Sequence, residues 1–147
     1  MTKRRWIVVA VFVFFFGFPL AGIGWFYYLA HSTMRTSAVA FADKSVDQVL
    51  ETGDYETLRL LATLPLRRKL EEDGFSQSVA ALGDYEGHGE FRVVRSTVGA
   101  RDDQAWQFVY LSVPVRFSKV EAELTMTAAR RSTELGEWRI EDWRIAP

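Results

Sequence analysis

The chain has 147 residues, with 18 Lys or Arg against 19 Asp or Glu, for a net charge of −1. That balance lacks the basic excess of a nucleic-acid-binding domain, so nucleic acid is not an expected partner. There is no cysteine, which excludes disulfides, a lipoprotein anchor and thiol-based metal or redox chemistry.

The first element in the chain is its most apolar one. Trp6 to Ala30 (WIVVAVFVFFFGFPLAGIGWFYYLA) runs without a single charge. As a helix it would measure about 37 Å, and a bilayer's hydrocarbon core is about 30 Å thick, so the segment is long enough to span with some tilt. Trp6 at one end and Trp25, Tyr27 and Tyr28 at the other match the aromatic belts found at headgroup level, so these four are the expected membrane-interface residues. Pro19 near the middle predicts a kink that lipid tolerates. Gly17 and Ala21, four apart, form a candidate strip for a second helix.

Lys3, Arg4 and Arg5 set the expected orientation. Basic residues stay cytoplasmic, so the N-terminus is expected inside and the bulk of the chain outside. The apolar run is much longer than the 7–15-residue core of a cleaved signal peptide, which favours an uncleaved signal-anchor. The remaining 15 basic and 19 acidic residues make the outer part mildly acidic. With fourteen arginines to four lysines and no asparagine, the composition suggests a GC-rich bacterial coding sequence. The expected organisation is residues 1–5 as a basic cytoplasmic N-terminus, 6–30 as a transmembrane helix, 31–36 as a juxtamembrane connector or a continuation of that helix, and 37–147 as one extracytoplasmic domain.

Within that domain Val39, Ala42, Val46, Val49 and Leu50 recur at helical spacing, with Asp43, Lys44, Asp47 and Glu51 on the other face. Gly53 predicts a helix stop, and Asp54 predicts the cap of a second helix carrying Leu58, Leu61 and Leu64 on its apolar side. Pro65 predicts a break, followed by a turn of helix to Asp73 that ends at Gly74. A last short helix is expected over about Phe75 to Leu82. Beyond Gly89 the period changes to 2. Strands are expected over Phe91–Val98, Trp106–Phe117, Lys119–Arg131 and Trp138–Ile145, with turns at Ala100–Ala105 and Ser132–Glu137. Helices followed by strands predict an α+β domain whose short helices pack on one face of a curved, four-stranded antiparallel sheet.

The phrases LETGDYETLRLL, FSQSVAALGDYEGHGEFRVV and GEWRIEDWRI, with Gly53–Asp54, Leu82–Gly83 and Gly136–Glu137–Trp138–Arg139–Ile140 at their joints, resemble the nuclear-transport-factor-2-like (cystatin-like α+β) superfamily over about residues 37–147. The resemblance implies a cone formed by a sheet wrapped on helices. Bacterial members with one N-terminal anchor share this layout, among them Mce-associated membrane proteins and the anchored assembly factor of type IV secretion systems. These motifs are structural and bear on fold more than on role.

Candidate chemistry is sparse. His31 reads as an interfacial residue. His88, in Gly87–His88–Gly89, reads as a loop residue with a general-base role as the minor reading. Glu141 and Asp142 read as a solvated edge or a bulge, and Arg67–Arg68–Lys69 as a solvated helix face balanced by Glu71, Glu72 and Asp73. No spacing of ligands suggests a metal or cofactor. Phe108 and Tyr110, opposite Val109 and Leu111, form the candidate partner patch. The expected function is therefore a non-catalytic binding or scaffold subunit of a membrane or envelope complex, with the lipid bilayer and another membrane protein as partners. Carriage of an apolar ligand in the cone is the alternative, and acid–base catalysis at His88 or Asp142 ranks last.

Overall fold

A computed structural model of the protein describes residues 18–132 and 136–147. The chain divides into two compact units, Met1–Thr33 and Met34–Pro147. The elements, in order, are helices α1 (Phe18–Thr52), α2 (Tyr55–Leu61), α3 (Leu64–Arg67) and α4 (Glu72–Leu82), then strands β1 (Tyr85–His88), β2 (Arg92–Arg101), β3 (Gln104–Phe117), β4 (Glu121–Arg131) and β5 (Arg139–Ala146).

In the first unit α1 carries an apolar surface. Leu20, Ile23, Trp25, Phe26, Tyr27, Tyr28 and Leu29 are all exposed, from 45% at Leu29 to 75% at Phe26. Tyr27 and His31, one turn apart, join through the phenol oxygen and Nε2 at 2.9 Å, and their rings touch. The stretch 31–36 is helical and belongs to α1. Among the described residues no helix is long and apolar enough to cross a membrane. Residues 6–17 of the expected span lie outside the described residues, as do Lys3, Arg4, Arg5, Trp6 and Gly17.

In the second unit the expected helical face is present. Ala42, Val46, Val49 and Leu50 are buried, joined by Met34 and Ala38. Gly53 adopts φ +58°, the left-handed conformation that ends a helix and costs glycine little. Asp54 then caps α2: its Oδ1 accepts from the Glu56 amide at 3.0 Å and its Oδ2 from the Thr57 hydroxyl at 2.9 Å. Two helix expectations need correction. Leu64 is 66% exposed rather than buried with Leu58, because α2 ends at Leu61 and the chain becomes extended at Ala62–Thr63. That step bridges to Ile140 in β5, and Leu66 fills the core position instead. Gly74 does not stop a helix. It sits inside α4, which starts from an extended Glu71 with Glu72 and Asp73 in the first turn, where acidic groups meet the positive end of the helix dipole.

The sheet is antiparallel and has five strands, not four. β3 pairs with β4 and β4 with β5, while β1 and β2 both lie along the other flank of β3. The extra strand follows from Pro114. A strand residue points its N–H and C=O to the same side, and the Pro114 carbonyl accepts from the Gly89 amide at 2.8 Å. Its missing N–H therefore faces the same flank. The ladder loses a donor there, and the flanking strand breaks into β1 and β2. The β2–β3 turn is tighter than expected: Asp102 and Asp103 form a two-residue loop, both at positive φ (50° and 59°), which suits the twist of a hairpin.

The core lies between the helices and one sheet face. Val109, Leu111, Val113 and Val115 of β3 and Leu124, Met126 and Ala128 of β4 are almost fully buried, with Leu58, Leu66 and Phe75 from the helices. The alternation read for Trp106–Phe117 and Lys119–Arg131 holds over most of both strands, but Ser112, Thr127 and Ala129 on the outer face are buried as well.

Candidate functional site

The face opposite this core carries the expected partner patch. Phe108 and Tyr110 lie there, each half-buried rather than bare. The cause is arginine. The Arg95 guanidinium sits 4.4 Å from the centre of the Tyr110 ring, and Arg101 lies 5.3 Å from Phe108 and 5.4 Å from Trp106. Arg131 covers Trp106 at 5.7 Å, and Trp106 stacks on Phe108 with 21° between planes. Guanidinium planes pack well on aromatic faces because they are weakly hydrated and the ring faces are electronegative. The small Ala129, paired with Phe108, lies buried beneath this layer although it belongs to the outer face.

Arg101 also pairs with Glu141, Nη2 to Oε1 at 2.6 Å. Glu141 occupies the bulge where the β4–β5 register shifts, which allows it onto the outer face next to Asp142. It is only 16% exposed, so of the two expectations for this stretch the bulge applies to Glu141 and the solvated edge to Asp142, which pairs with the exposed Arg144 at 3.3 Å. The bond to Glu141 raises the Arg101 pKa, with its burial working the other way, so Arg101 stays a cation. On the core side, burial lowers the pKa of Arg130, which stacks over Trp138 at 4.5 Å and donates to Gln107 at 2.7 Å.

His88 is not in a loop. It ends β1, 11% exposed, with Nε2 3.5 Å from Asp43 Oδ1 and 3.4 Å from Asp47 Oδ1 on α1. Its Nδ1 lies 2.7 Å from the Gly89 carbonyl, which can only accept, so Nδ1 carries a proton and Nε2 faces the two carboxylates. Tyr85 donates to the same Asp47 oxygen at 2.7 Å. The cluster clasps β1 to α1. Its sequence signal was Asp43 and Asp47 one turn apart on a helix with His88 downstream, but only folding reveals the pairing. Among the described residues no group of three or more His, Asp or Glu is placed to hold a metal ion.

Between the sheet and the helices lie the buried core side chains, and beside them a cavity of about 380 Å³ opens between Gly74, Phe75, Ser78 and Val79 of α4 and Trp143 and Ile145 of β5. Ala21, the described half of the small-residue strip, is exposed on α1. Comparison with known proteins finds no matching family model, no matching curated protein and no matching solved structure.

Proposed function

We propose that the chain is a single-pass membrane protein, N-terminus in the cytoplasm, whose C-terminal α+β domain lies on the outer side of a bacterial cytoplasmic membrane and serves as a non-catalytic binding subunit of a membrane or envelope complex. The observation that carries this reading is the contrast along α1. From Leu20 to Leu29 every large apolar side chain is exposed, whereas from Met34 onward the apolar face of the same helix is buried. Each such side chain gains about 1.5–3 kcal/mol on leaving water, so this surface calls for an apolar environment. The uncharged run Trp6–Ala30 and the preceding Lys3, Arg4 and Arg5 supply length and orientation.

For the outer domain, helices followed by an antiparallel sheet packed on one face support the nuclear-transport-factor-2-like plan. The arginine–aromatic layer around Phe108 and Tyr110 supports a partner surface on the opposite face, since aromatic and arginine side chains dominate interface hot spots.

The test is made in a bacterial host. The full chain should stay in the membrane pellet after an alkaline carbonate wash. A C-terminal alkaline phosphatase fusion should be active, and a C-terminal fluorescent protein that matures only in the cytosol should stay dark. Mild-detergent purification should bring down a membrane protein in fixed stoichiometry. Release by carbonate, a bright cytosolic fusion or a clean monomer would each overturn the corresponding part of the reading.

A further inference from the structure

A cleft of about 430 Å³ opens in the unit Met34–Pro147 where the extended Ala62–Thr63 step passes the β2–β3 turn and the neighbouring ends of β4 and β5. Its polar lining is mostly arginine: Arg67, Arg68, Arg101, Arg131 and Arg139, beside Trp106. The part of the chain beyond Arg5 holds more acidic than basic residues, yet five guanidiniums and one carboxylate, Asp102, meet in this cleft. Arg101 is offset by Glu141 at 2.6 Å and Arg139 by Glu137 at 3.4 Å, so the charge that calls for a counter-ion centres on Arg67 and Arg68.

Two details sharpen the point. Arg67 Nη2 and Arg139 Nη1 both donate to the Leu60 carbonyl, at 3.2 and 2.6 Å. Two cations are thus drawn to one neutral oxygen, their nitrogens no more than about 6 Å apart. Neither Arg67 nor Arg68 has a carboxylate within ion-pair distance among the described residues; Glu71, Glu72 and Asp73 do not pair with them. Second, two cleft residues hold polar atoms that are buried with no hydrogen-bond partner among the described residues: Thr63 Oγ1, in a residue only 7% exposed, and Trp106 Nε1. Buried polar groups are normally satisfied, and both of these can donate.

The lining therefore offers donors almost throughout and hardly any acceptor. Trp106, Leu64 and Pro65 add an apolar wall. Guanidinium forks match tetrahedral oxyanions, and several of them exceed what one carboxylate needs. We propose that this cleft binds an organic phosphate monoester, its phosphate held by Arg67 and Arg68 with Arg131 and Arg139 at the sides, and its organic body against Trp106. Arg101, held by Glu141, positions the indole. The site uses only residues of the second unit, so it stands or falls independently of the membrane anchor.

The test uses the full chain in nanodiscs of phosphatidylcholine, whose headgroup is a diester. Thermal unfolding and calorimetry follow titration with phenyl phosphate and with inorganic phosphate, at constant ionic strength, with chloride and sulfate as controls. Phenyl phosphate should bind best and raise the unfolding temperature. Arg68→Gln should weaken it about tenfold and Arg67→Gln at least as much, while Arg116→Gln at the far end of β3 should leave it unchanged. The Arg68 side chain is exposed and makes no hydrogen bond or ion pair among the described residues, so its variant keeps its unliganded unfolding temperature and remains informative if Arg67→Gln does not fold. Nanodiscs containing phosphatidic acid separate the two sources of this chemistry: loss of the phenyl phosphate response there marks a lipid headgroup as the ligand, and an unchanged response marks a soluble one. No binding at millimolar phenyl phosphate, equal responses to chloride and sulfate, or full binding by Arg68→Gln would each overturn the proposal.

Discussion

Arg101, on β2, reaches Glu141, on β5, across the whole outer face of the sheet, passing over Phe108 to close a 2.6 Å ion pair. Two intervening strands separate them in the pairing order. The pair is half-buried, and the second Glu141 oxygen is buried without a partner among the described residues. Removing the arginine alone leaves a carboxylate poorly solvated and uncompensated. Arg101→Gln should destabilise the protein by about 1–3 kcal/mol, and Arg101→Gln with Glu141→Gln by less than the sum of the single changes. Urea unfolding of the four proteins in the cycle measures this.

Tyr85 gives the pH dependence. Burial, then its bond to Asp47, then the charges of Asp47, Glu51 and Asp43, raise its pKa well above the usual value near 10. The folded state thus holds the phenolic proton more tightly than the unfolded chain. That stability is fully present below about pH 10 and is lost as pH rises toward the folded-state value. Tyr85→Phe should cost about 1 kcal/mol at neutral pH and make the decline above pH 10 shallower. Stability measured from pH 7 to 11 in both proteins decides it.

Gly83 should tolerate no side chain. It ends α4 at φ +93°, and an added Cβ would collide with the Ser118 hydroxyl and crowd the Lys119 backbone. Ser118 cannot easily withdraw, because its hydroxyl accepts from the Asp84 amide and its own amide donates to the Asp84 carbonyl. Gly83→Ala should cost about 1–3 kcal/mol, read as a lowered unfolding midpoint.

Arg95 and Tyr110 separate stability from recognition. Their contact lies at the surface, where a cation–π pair contributes about 0.5–1 kcal/mol. Arg95→Gln with Tyr110→Ser should leave the fold intact, as judged by circular dichroism, while reducing recovery of the membrane partner in a mild-detergent pull-down. Undiminished recovery would remove this face from the proposed interface.

Much of the architecture was legible because it is local. The period of the apolar residues separates the second half of α1 from β3 and β4, since burial on one face demands 3.6 in a helix and 2 in a strand. Asp54 and Gly53 announced a cap and a stop for the same reason: their side-chain and backbone chemistry acts within a few residues. Other features depend on which distant segments meet. Pro114 reads as part of a continuous strand, and its effect appears only in the partner strand it splits. Leu64 carries the right spacing for the core but leaves it, because the chain turns extended to reach Ile140. The arginines at 67–68, 101, 131 and 139 look like separate wet positions along the sequence. Only the stacking of α3 against β5 and the closure of the β2–β3 hairpin bring them around Trp106, because electrostatic proximity is a property of the folded surface and leaves no periodic trace in the chain.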